Sequence, residues 1–333
     1  MSERRDAGDW AAEELLLRVA WYYYKDDMNQ EDIARRLSVS RPSVGRMLDR
    51  ARKAGLVSIS INSRYLASVE LATSLCSAFG LTEALVVPDV PGATPLQRAV
   101  NARIGMAGAQ YLSSHLERGT SLGVGWGDTV SRVMATVDLA SLSPLRLVTL
   151  TGGVDGYLQA LSQWRWDPAG AGTGGAGATG ASEGLSAGVI PSPIVMSTAA
   201  LAKAIKAEPT VQAVLSAARA ATCAVVGVGT PAADSTLVRM GYLSADDAGV
   251  LAGQGVVGDI LGQFFTADGT VVPLALHERR IGIELGDLKG IDTVVGVAGG
   301  VAKVDAIAGA LRGAYLDVLV TNEEVARLLL ERV

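Results

Sequence analysis

The chain has 333 residues, of which 49% are hydrophobic and 19% charged, as is typical of a soluble globular protein with about two domains. No apolar run reaches the roughly 18 residues that span a bilayer, and the charged N-terminus lacks the apolar core of a signal peptide. We therefore expect a cytoplasmic protein without membrane contact. Cys76 and Cys223 have neither CxxC spacing nor a nearby histidine, which argues against a disulfide framework and a zinc site.

Positive charge is concentrated in one short region of the chain. Residues 29–64 carry eight lysine or arginine side chains against three carboxylates, whereas the complete chain has a net charge of −5. One basic region on an otherwise acidic protein is typical of a localised contact with nucleic acid phosphates. The same balance argues against a chain that coats nucleic acid along its whole length.

The first predicted element is a helix over residues 12–24. Its apolar residues recur at the helical spacing of three and four. The helix ends in an aromatic cluster that runs from Trp21 to Tyr24. We interpret this cluster as core packing, with an interaction surface as the alternative.

Two shorter helices follow, each preceded by a residue that caps helices well. Asn29 is placed to cap a helix over residues 30–37. Ser40 is placed to cap a second helix, which carries Pro42 in its first turn and ends near Gly55. These signals predict a compact pair of helices in the basic region.

The connection between these helices is only two residues long, Ser38 and Val39. Ser38 stands where such a turn often carries glycine, and a left-handed serine there costs about 1 kcal/mol at most. The turn is therefore compatible with the sequence. After the second helix, the alternating run 56–61 predicts the strand of a small wing.

This pair of helices has the pattern of a helix-turn-helix. The side chains expected to point inward are Ile33, Ala34, Leu37, Val39, Val44 and Met47. Near the start of the second helix, outward side chains can reach base edges, and those further along are better placed for phosphates. The residues assigned to DNA are Ser40, Arg41, Ser43 and Arg46 for bases, with Arg50, Arg52 and Lys53 for phosphates. The alternative is a small helical subdomain with a solvated basic face.

The second part of the chain predicts a different fold class. A helix over 65–79 that ends at Gly80 places the boundary within 62–68, so we expect a helix-turn-helix domain over 1–64 and a second domain over 65–333. In the second domain, β-branched runs alternate with helical stretches, which predicts a Rossmann-like α/β fold with a buried parallel sheet. The predicted strands are 84–87, 121–124, 147–150, 224–228, 293–297 and 318–320.

Several of these strands end in glycine. The pairs involved are Gly125 and Gly127, Gly152 and Gly153, Gly227 and Gly229, and Gly299 and Gly300. Ligands of open parallel sheets bind beyond the carboxyl ends of the strands. The glycine-bearing ends are therefore expected to converge on one pocket.

One low-complexity segment interrupts the second domain. Residues 167–188 are rich in glycine and alanine and have few side chains large enough to repay the entropy of ordering. We interpret this segment as a flexible loop.

The chain resembles the SorC/DeoR-type sugar-sensing regulators of bacteria over nearly its whole length. The resemblance rests on the helix-turn-helix region and on five runs in the second domain, LGVGWGDTVSRV, LVTLTGGV, VVGVGTP, GVVGDILGQFFTADGTVV and VVGVAGGVAKVDAIAGALRGAYLDVLVTNEEVARLLL. It implies a second domain related to sugar-phosphate isomerases and deaminases, a homodimer or homotetramer, a double-stranded operator, and a sugar, polyol or sugar-phosphate effector.

The expected effector site draws on the strand ends and two charged residues. The predicted contacts are Gly125, Trp126, Gly127, Thr129, Gly152, Gly153, Gly229, Asp259 and Lys303. The segment from Gly125 to Thr129 opens a helix, where backbone N–H groups and a hydroxyl can hold a phosphate. Lys303 lies in the first turn of a predicted helix, an unfavourable place for a cation unless an anion lies nearby. The alternative interpretations are structural turns for the glycine segments, a turn or helix-capping aspartate for Asp259, and a solvated lysine for Lys303.

Two other functions compete with this interpretation. Lys303 with Asp259 has the residue types of a sugar-phosphate isomerase, deaminase or aldolase, but a metabolic enzyme has no use for a helix-turn-helix. A dinucleotide-binding protein is disfavoured by the incomplete GxGxxG pattern. His115 and His277 lie apart from any nucleophile motif, and we interpret both as structural. We therefore expect no catalysis, cofactor or metal.

Overall fold

The structure is a computed structural model that describes residues 3–57, 66–90, 96–139, 142, 144–153, 186–233 and 235–333. The chain divides into two units, Met1–Arg64 and Tyr65–Val333. In the part of the chain that is described, no helix is long and apolar enough to cross a membrane.

The N-terminal unit contains three helices, α1 (Glu3–Tyr24), α2 (Gln30–Leu37) and α3 (Arg41–Lys53). Both predicted caps are confirmed. The Asn29 side chain accepts hydrogen bonds from the backbone of residues 31 and 32, and the Ser40 hydroxyl accepts one from the backbone of Ser43. Ser38 adopts the expected left-handed conformation, with φ of 55°. These local interactions hold α2 and α3 in the helix-turn-helix arrangement.

The core of this unit matches the predicted inward positions. Ile33 and Val44 are completely buried and Ala34 nearly so, while Leu37, Val39 and Met47 pack around them. The predicted wing strand lies outside the described residues beyond position 57, and its first two residues pack against the same core.

The interpretation of the aromatic cluster as core packing was wrong for its two ends. Tyr22 and Tyr23 contact the core, but Trp21 is 59% exposed and Tyr24 38% exposed. The physical reason is helical geometry, because four consecutive residues point in four directions about 100° apart. A single core therefore reaches only part of such a run.

The C-terminal unit is built on a parallel sheet of seven strands. The strands are β1 (Glu83–Val87), β2 (Ser121–Val124), β3 (Arg146–Thr149), β4 (Ser186–Gly188), β5 (Cys223–Gly227), β8 (Thr293–Val297) and β9 (Val318–Asn322), in the spatial order β1-β9-β8-β5-β2-β3-β4. Two further strands, β6 (Val256–Ile260) and β7 (Gln263–Thr266), form an antiparallel hairpin. All six predicted strands are confirmed within a few residues at their ends, and so is the α/β fold class.

Helices cover both faces of this sheet. They are α4 (Leu66–Phe79), α5 (Gln97–His115), α6 (Asp128–Thr136), α7 (Ala199–Ala207), α8 (Pro209–Arg219), α9 (Thr236–Arg239), α10 (Ala245–Gly253), α11 (Ala275–Glu278), α12 (Val304–Arg312) and α13 (Glu323–Leu330). Strand β5 is covered on both faces. Its successive residues Val225 and Val226 point to opposite faces, and both are completely buried, each in a different apolar cluster. Burial on both faces explains why the parallel strands have continuous apolar sequences.

One strand was not predicted. Ser186, Ala187 and Gly188 pair in parallel with Arg146, Leu147 and Val148 of β3, so the loop prediction was wrong for these three residues. Their small side chains carry little strand propensity, and the neighbouring strand supplies the hydrogen bonds that order them. Residues 167–185 of the predicted loop lie outside the described residues.

Candidate functional site

A cavity of about 460 Å³ opens at the carboxyl ends of β2 and β5. The order of the strands reverses between β2 and β5. The strands that follow β2 in the chain, β3 and β4, lie on one side of this point, and those that follow β5, β8 and β9, lie on the other. Connections diverge at such a point and leave a crevice, which is where open α/β sheets bind their ligands. The topology therefore locates the cavity before any side chain is considered.

The segment after β2 forms one wall of the cavity. Gly125 lies close to the neighbouring strand, and a Cβ atom there would be 3.0 Å from the carbonyl oxygen of Val225. Gly127 has φ of 124°, a conformation that glycine adopts without strain. Helix α6 starts immediately afterwards, and its buried Thr129 lines the cavity. The positive end of α6 thus points towards the cavity.

Asp128 at the start of α6 is held by a hydrogen-bond network. Its carboxylate accepts hydrogen bonds from Asn101 Nδ2 at 2.8 Å and from Arg132 Nε at 3.0 Å. Burial raises the pKa of Asp128, but these hydrogen bonds and the charges of Arg132 and Arg239 outweigh it and keep the pKa below its usual value. Asp128 therefore presents an ionised carboxylate to the cavity at neutral pH.

The segment after β5 meets the β6–β7 hairpin at Asp259. The backbones of Gly229 and Asp259 exchange two hydrogen bonds, and a Cβ atom at Gly229 would lie 2.0 Å from Asp259 Oδ1. Asp259 is 6% exposed, and its Oδ2 accepts a hydrogen bond from the backbone of Gly262 at 3.2 Å. Burial raises the pKa of Asp259 to about 6, although the Gly262 hydrogen bond and the charge of Lys303 lower it in part.

Lys303 enters the cavity from the segment that follows β8. Gly300, with φ of 96°, turns the chain after β8, and a short 3₁₀ turn (Val301–Lys303) precedes α12. The Lys303 ammonium donates a hydrogen bond to the carbonyl oxygen of Val228 at 2.9 Å. Burial lowers the pKa of Lys303, and the carboxylates of Asp259 and Asp128 raise it in part. The cavity thus combines the half-buried Lys303 with the carboxylates of Asp128 and Asp259.

The structure brings together most of the predicted effector contacts. Trp126, Gly127, Thr129, Gly229, Asp259 and Lys303 line the cavity. Gly125 does not line the cavity itself, and it packs against Val225 of the neighbouring strand β5. Gly152 and Gly153 do not line the cavity, and they pack instead against residues 192–194, where a Cβ atom at Gly152 would be 2.4 Å from the carbonyl oxygen of Pro193.

Several polar residues that line the cavity were not predicted from the sequence. They are Gln97, Arg98, Asn101, Asp128, Arg132, Thr230, Ser235, Thr236 and Arg239. Asp128 and Thr230 adjoin glycine motifs that the sequence analysis singled out, and that adjacency is a usable signal. The residues from α5 and α9 reach the cavity only through the tertiary fold.

The buried carboxyl group makes stability depend on pH in a defined direction. Because the folded-state pKa of Asp259 is raised to about 6, ionised Asp259 destabilises the fold, and this cost is complete above pH 6 and disappears as the pH falls towards 4. We expect Asp259→Asn to raise the free energy of unfolding at pH 7.5 by up to about 3 kcal/mol. Urea unfolding of both proteins at pH 7.5 and pH 4.5 measures this difference. A gain that is equal at both pH values would contradict the assignment.

The basic face of α3 remains available for a ligand. Ser40, Arg41, Arg46, Arg50 and Lys53 are exposed, while Ser43 is half-buried. The hydroxyl groups of Ser40 and Ser43 are 2.8 Å apart, and Arg46 Nη2 donates to Ser43 Oγ at 3.2 Å. By contrast, Arg52 forms an ion pair with Asp49. Over the described part of the chain, Arg41, Arg46, Arg50 and Lys53 form no ion pair.

The histidines lie outside the cavity. His115 stacks on Tyr111 with ring centroids 4.1 Å apart. His277 stacks on Phe264, and its Nε2 accepts a hydrogen bond from the Phe264 backbone at 3.0 Å. This contact requires a neutral ring, and burial together with the charge of Arg280 lowers the pKa of His277 to about 4.

Protonation of His277 is expected to destabilise the protein in mild acid. Because the folded-state pKa of His277 is lowered, the neutral ring contributes its full stabilisation above pH 6.5. This stabilisation is lost as the pH falls from 6.5 to 4. We expect the stability advantage of the wild type over His277→Gln to shrink by about 2 kcal/mol between pH 7 and pH 4.5, allowing for partial exposure of the ring. Urea titrations at both pH values test this expectation. An advantage that does not change with pH would refute the neutral-ring assignment.

Metal binding has no visible basis in the described residues. Among them, no group of three or more histidine, cysteine, aspartate or glutamate side chains is placed to hold a metal ion. Cys76 is half-buried and Cys223 buried, and both are free thiols.

Comparison with known proteins shows which family the chain is similar to. A family model described as "Putative sugar-binding domain" matches residues 63–331. The chain is 39% identical over 322 residues to the transcriptional regulator LsrR of Enterobacter sp. (strain 638), covering 96% of this chain and 93% of that protein. It is 36% identical to LsrR of Escherichia coli (strain K12), covering 96% and 95%.

Solved structures agree with these relatives. The full-length sorbitol operon regulator SorC from Klebsiella pneumoniae matches with a TM-score of 0.68 and 27% identity, over 95% of this chain and 98% of that chain. A DeoR family transcriptional regulator from Listeria monocytogenes matches with a TM-score of 0.67 and 25% identity, over 79% and 99%.

Proposed function

The chain belongs to the sugar-binding family of SorC-type transcriptional regulators, and from this premise we propose that a small carbohydrate in the cavity controls its binding to an operator. The observation that carries the proposal is the cavity itself. It lies at the topological switch point and combines the half-buried Lys303 with Asp128 and Asp259.

The charges of the cavity suit a phosphorylated sugar or polyol. Lys303 and the start of α6 offer positive potential to a phosphate, and the backbone N–H groups there add hydrogen-bond donors. Asp128 and Asp259 offer acceptors to hydroxyl groups. A ligand with an anionic group at one end and hydroxyl groups at the other would satisfy both parts of the cavity.

We assign DNA binding to the unit 1–64 and effector binding to the unit 65–333. In the first unit, the exposed side chains near the start of α3 are Ser40, Arg41 and Arg46, with half-buried Ser43 between them. Residues at this position of a recognition helix contact base edges, and Arg50 and Lys53 further along suit phosphates. The protein acts as a homodimer or homotetramer, the assembly that the family resemblance implies, and a two-fold assembly would present two recognition helices to two half-sites of an operator.

The proposal is tested on the full-length protein in two steps. A thermal-shift screen against sugars, polyols and their phosphates should identify a stabilising ligand, because a ligand at 100 times its Kd adds about 2.7 kcal/mol to the folded state. Genomic DNA fragments retained by the protein are then sequenced, and the ligand is titrated into the complex. If no duplex is retained, or if no ligand alters retention, the proposal fails.

An enzymatic role has one observation in its favour. A half-buried lysine with a lowered pKa beside a carboxyl group, as at Lys303, is also found where lysine acts as a nucleophile. The relatives are named transcriptional regulators, which favours the regulatory role. Turnover assays with pentose and hexose phosphates decide the matter, and we expect no product to form.

A further inference from the structure

The turn that carries Lys303 into the cavity is bonded to a side chain of the neighbouring strand. Asn322, the last residue of β9, is 3% exposed, and its Oδ1 accepts a hydrogen bond from the backbone N–H of Gly300 at 3.0 Å. The carbonyl oxygen of Gly300 in turn accepts a hydrogen bond from the backbone N–H of Lys303 at 2.9 Å. Two hydrogen bonds in series therefore connect the side chain of Asn322 to the backbone of Lys303.

Asp89, which follows β1, sets the orientation of the Asn322 amide. Its Oδ1 accepts a hydrogen bond from Asn322 Nδ2 at 3.1 Å, and its Oδ2 accepts one from the backbone N–H of Glu324 at 2.7 Å. A carboxylate accepts hydrogen bonds and a backbone N–H group donates them. The amide of Asn322 must therefore turn its NH₂ group towards Asp89 and its oxygen towards Gly300.

The turn is also held from its other side, by helix α5. Gln97 Nε2 donates a hydrogen bond to the carbonyl oxygen of Gly299 at 2.8 Å. A Cβ atom at Gly300 would lie 2.1 Å from Gln97 Oε1, and one at Gly299 would lie 2.6 Å from Asn322 Oδ1. Because both glycines are buried between these two side chains, a change at Asn322 is passed on to the residues that follow the turn.

We propose that Asn322, oriented by Asp89, is a positioning residue that holds the Lys303 ammonium in the cavity. Asn322 does not line the cavity, so it acts through the turn and not by contact with a ligand. Without its side chain, the buried N–H group of Gly300 has no partner, and the turn must shift to find one. The inference rests on the proposed function only for what Lys303 binds, because the place of the ammonium can be measured without a ligand.

Competitive labelling with trace acetic anhydride tests the proposal on the full chain. The acetylated fraction of each lysine, measured by peptide mass spectrometry between pH 7 and pH 11, gives the titration midpoint of that lysine. In the wild type, Lys303 should titrate below an ordinary lysine, because burial lowers its pKa. In Asn322→Ala we expect the midpoint of Lys303 to rise by about one pH unit, because a displaced ammonium regains contact with water.

Lys206 is the internal control for this experiment. It is half-buried in the same unit and burial lowers its pKa too, so a general loosening of the fold would also move its midpoint. Asp317→Ala is the matched variant, since Asp317 holds the backbone N–H of Val294 at the opposite end of β8, and it should leave Lys303 unchanged. An unchanged midpoint of Lys303 in Asn322→Ala, or an equal shift of Lys206, overturns the proposal.

Exchange of two side chains tests the contact between Asp89 and Asn322. Asn322→Asp keeps an acceptor for Gly300 but places two carboxylates together, so the urea midpoint of unfolding at pH 7.5 should fall. Adding Asp89→Asn reverses donor and acceptor, and it should return the midpoint most of the way to that of the wild type. A double variant that is no more stable than the single one overturns the proposal. No step uses effector or DNA, so failure here is distinct from failure of the proposed function, which the ligand screen and duplex retention measure.

Discussion

Replacing Lys303 with alanine is expected to weaken effector binding by about 1.5–3 kcal/mol, which is roughly tenfold to somewhat over a hundredfold in Kd. Lys303 is one of four basic residues that line the cavity, and its ammonium donates a hydrogen bond to the Val228 carbonyl oxygen. An effector phosphate at this point would gain a charge-assisted hydrogen bond in a partly desolvated place, and alanine removes it. Isothermal titration of the effector found in the thermal-shift screen measures the loss.

Two controls separate this effect from a loss of folding. Lys303→Met keeps most of the side-chain volume but not the charge, so it should lose affinity to a similar extent. Lys203→Ala removes an exposed lysine of α7 and should leave the affinity unchanged. Operator affinity without effector should survive in all three variants. An unchanged effector Kd in Lys303→Ala would place the phosphate elsewhere.

Replacing Arg41 or Arg46 with alanine is expected to weaken operator binding by about 1–3 kcal/mol for each arginine that contacts a base edge. Both side chains are exposed near the start of α3, and over the described residues neither is tied up in an ion pair. The loss should be confined to the operator, so the affinity ratio between operator and random duplex should fall. Gel-shift titrations at one fixed salt concentration measure both affinities.

Substitutions at two other basic residues serve as controls for these arginines. Lys53→Ala should weaken operator and random duplex equally, because a phosphate contact does not depend on sequence. Arg35→Ala on α2 removes an arginine already paired with Asp32 and should change neither affinity by much. If Arg41→Ala and Arg46→Ala also fail to alter the ratio, α3 is not the recognition helix.

Local signals in the sequence were sufficient for much of the architecture. Asn29, Ser38 and Ser40 each act on backbone within a few residues, so the two helices of the helix-turn-helix and their turn were predictable one by one. The buried parallel strands were equally predictable, because burial on both faces requires runs of β-branched residues. The aromatic ends of α1 were misassigned, since sequence alone does not say which direction of a helix faces a core.

The candidate site was predictable in part. Strand-end glycines identified the segments after β2 and β5, and the helix start identified Lys303, because these features follow from the chemistry of consecutive residues. The strand ends that become neighbours, by contrast, depend on the order of the strands in the folded chain. The order of strands places β5 beside β2 and so joins Gly229 and Asp259 to Trp126, while Gly152 and Gly153 after β3 pack elsewhere.

The helix-turn-helix, the α/β class and several residues of the cavity were predictable from sequence, because capping, hydrophobic pattern and glycine conformation act over short stretches of chain. Tertiary structure alone decided that Asn101 of α5 holds the carboxylate of Asp128, that β4 exists, and that burial raises the pKa of Asp259. Each of these depends on a neighbour that is distant in sequence. Pairing, desolvation and through-space charge are set by that neighbour's position in the fold.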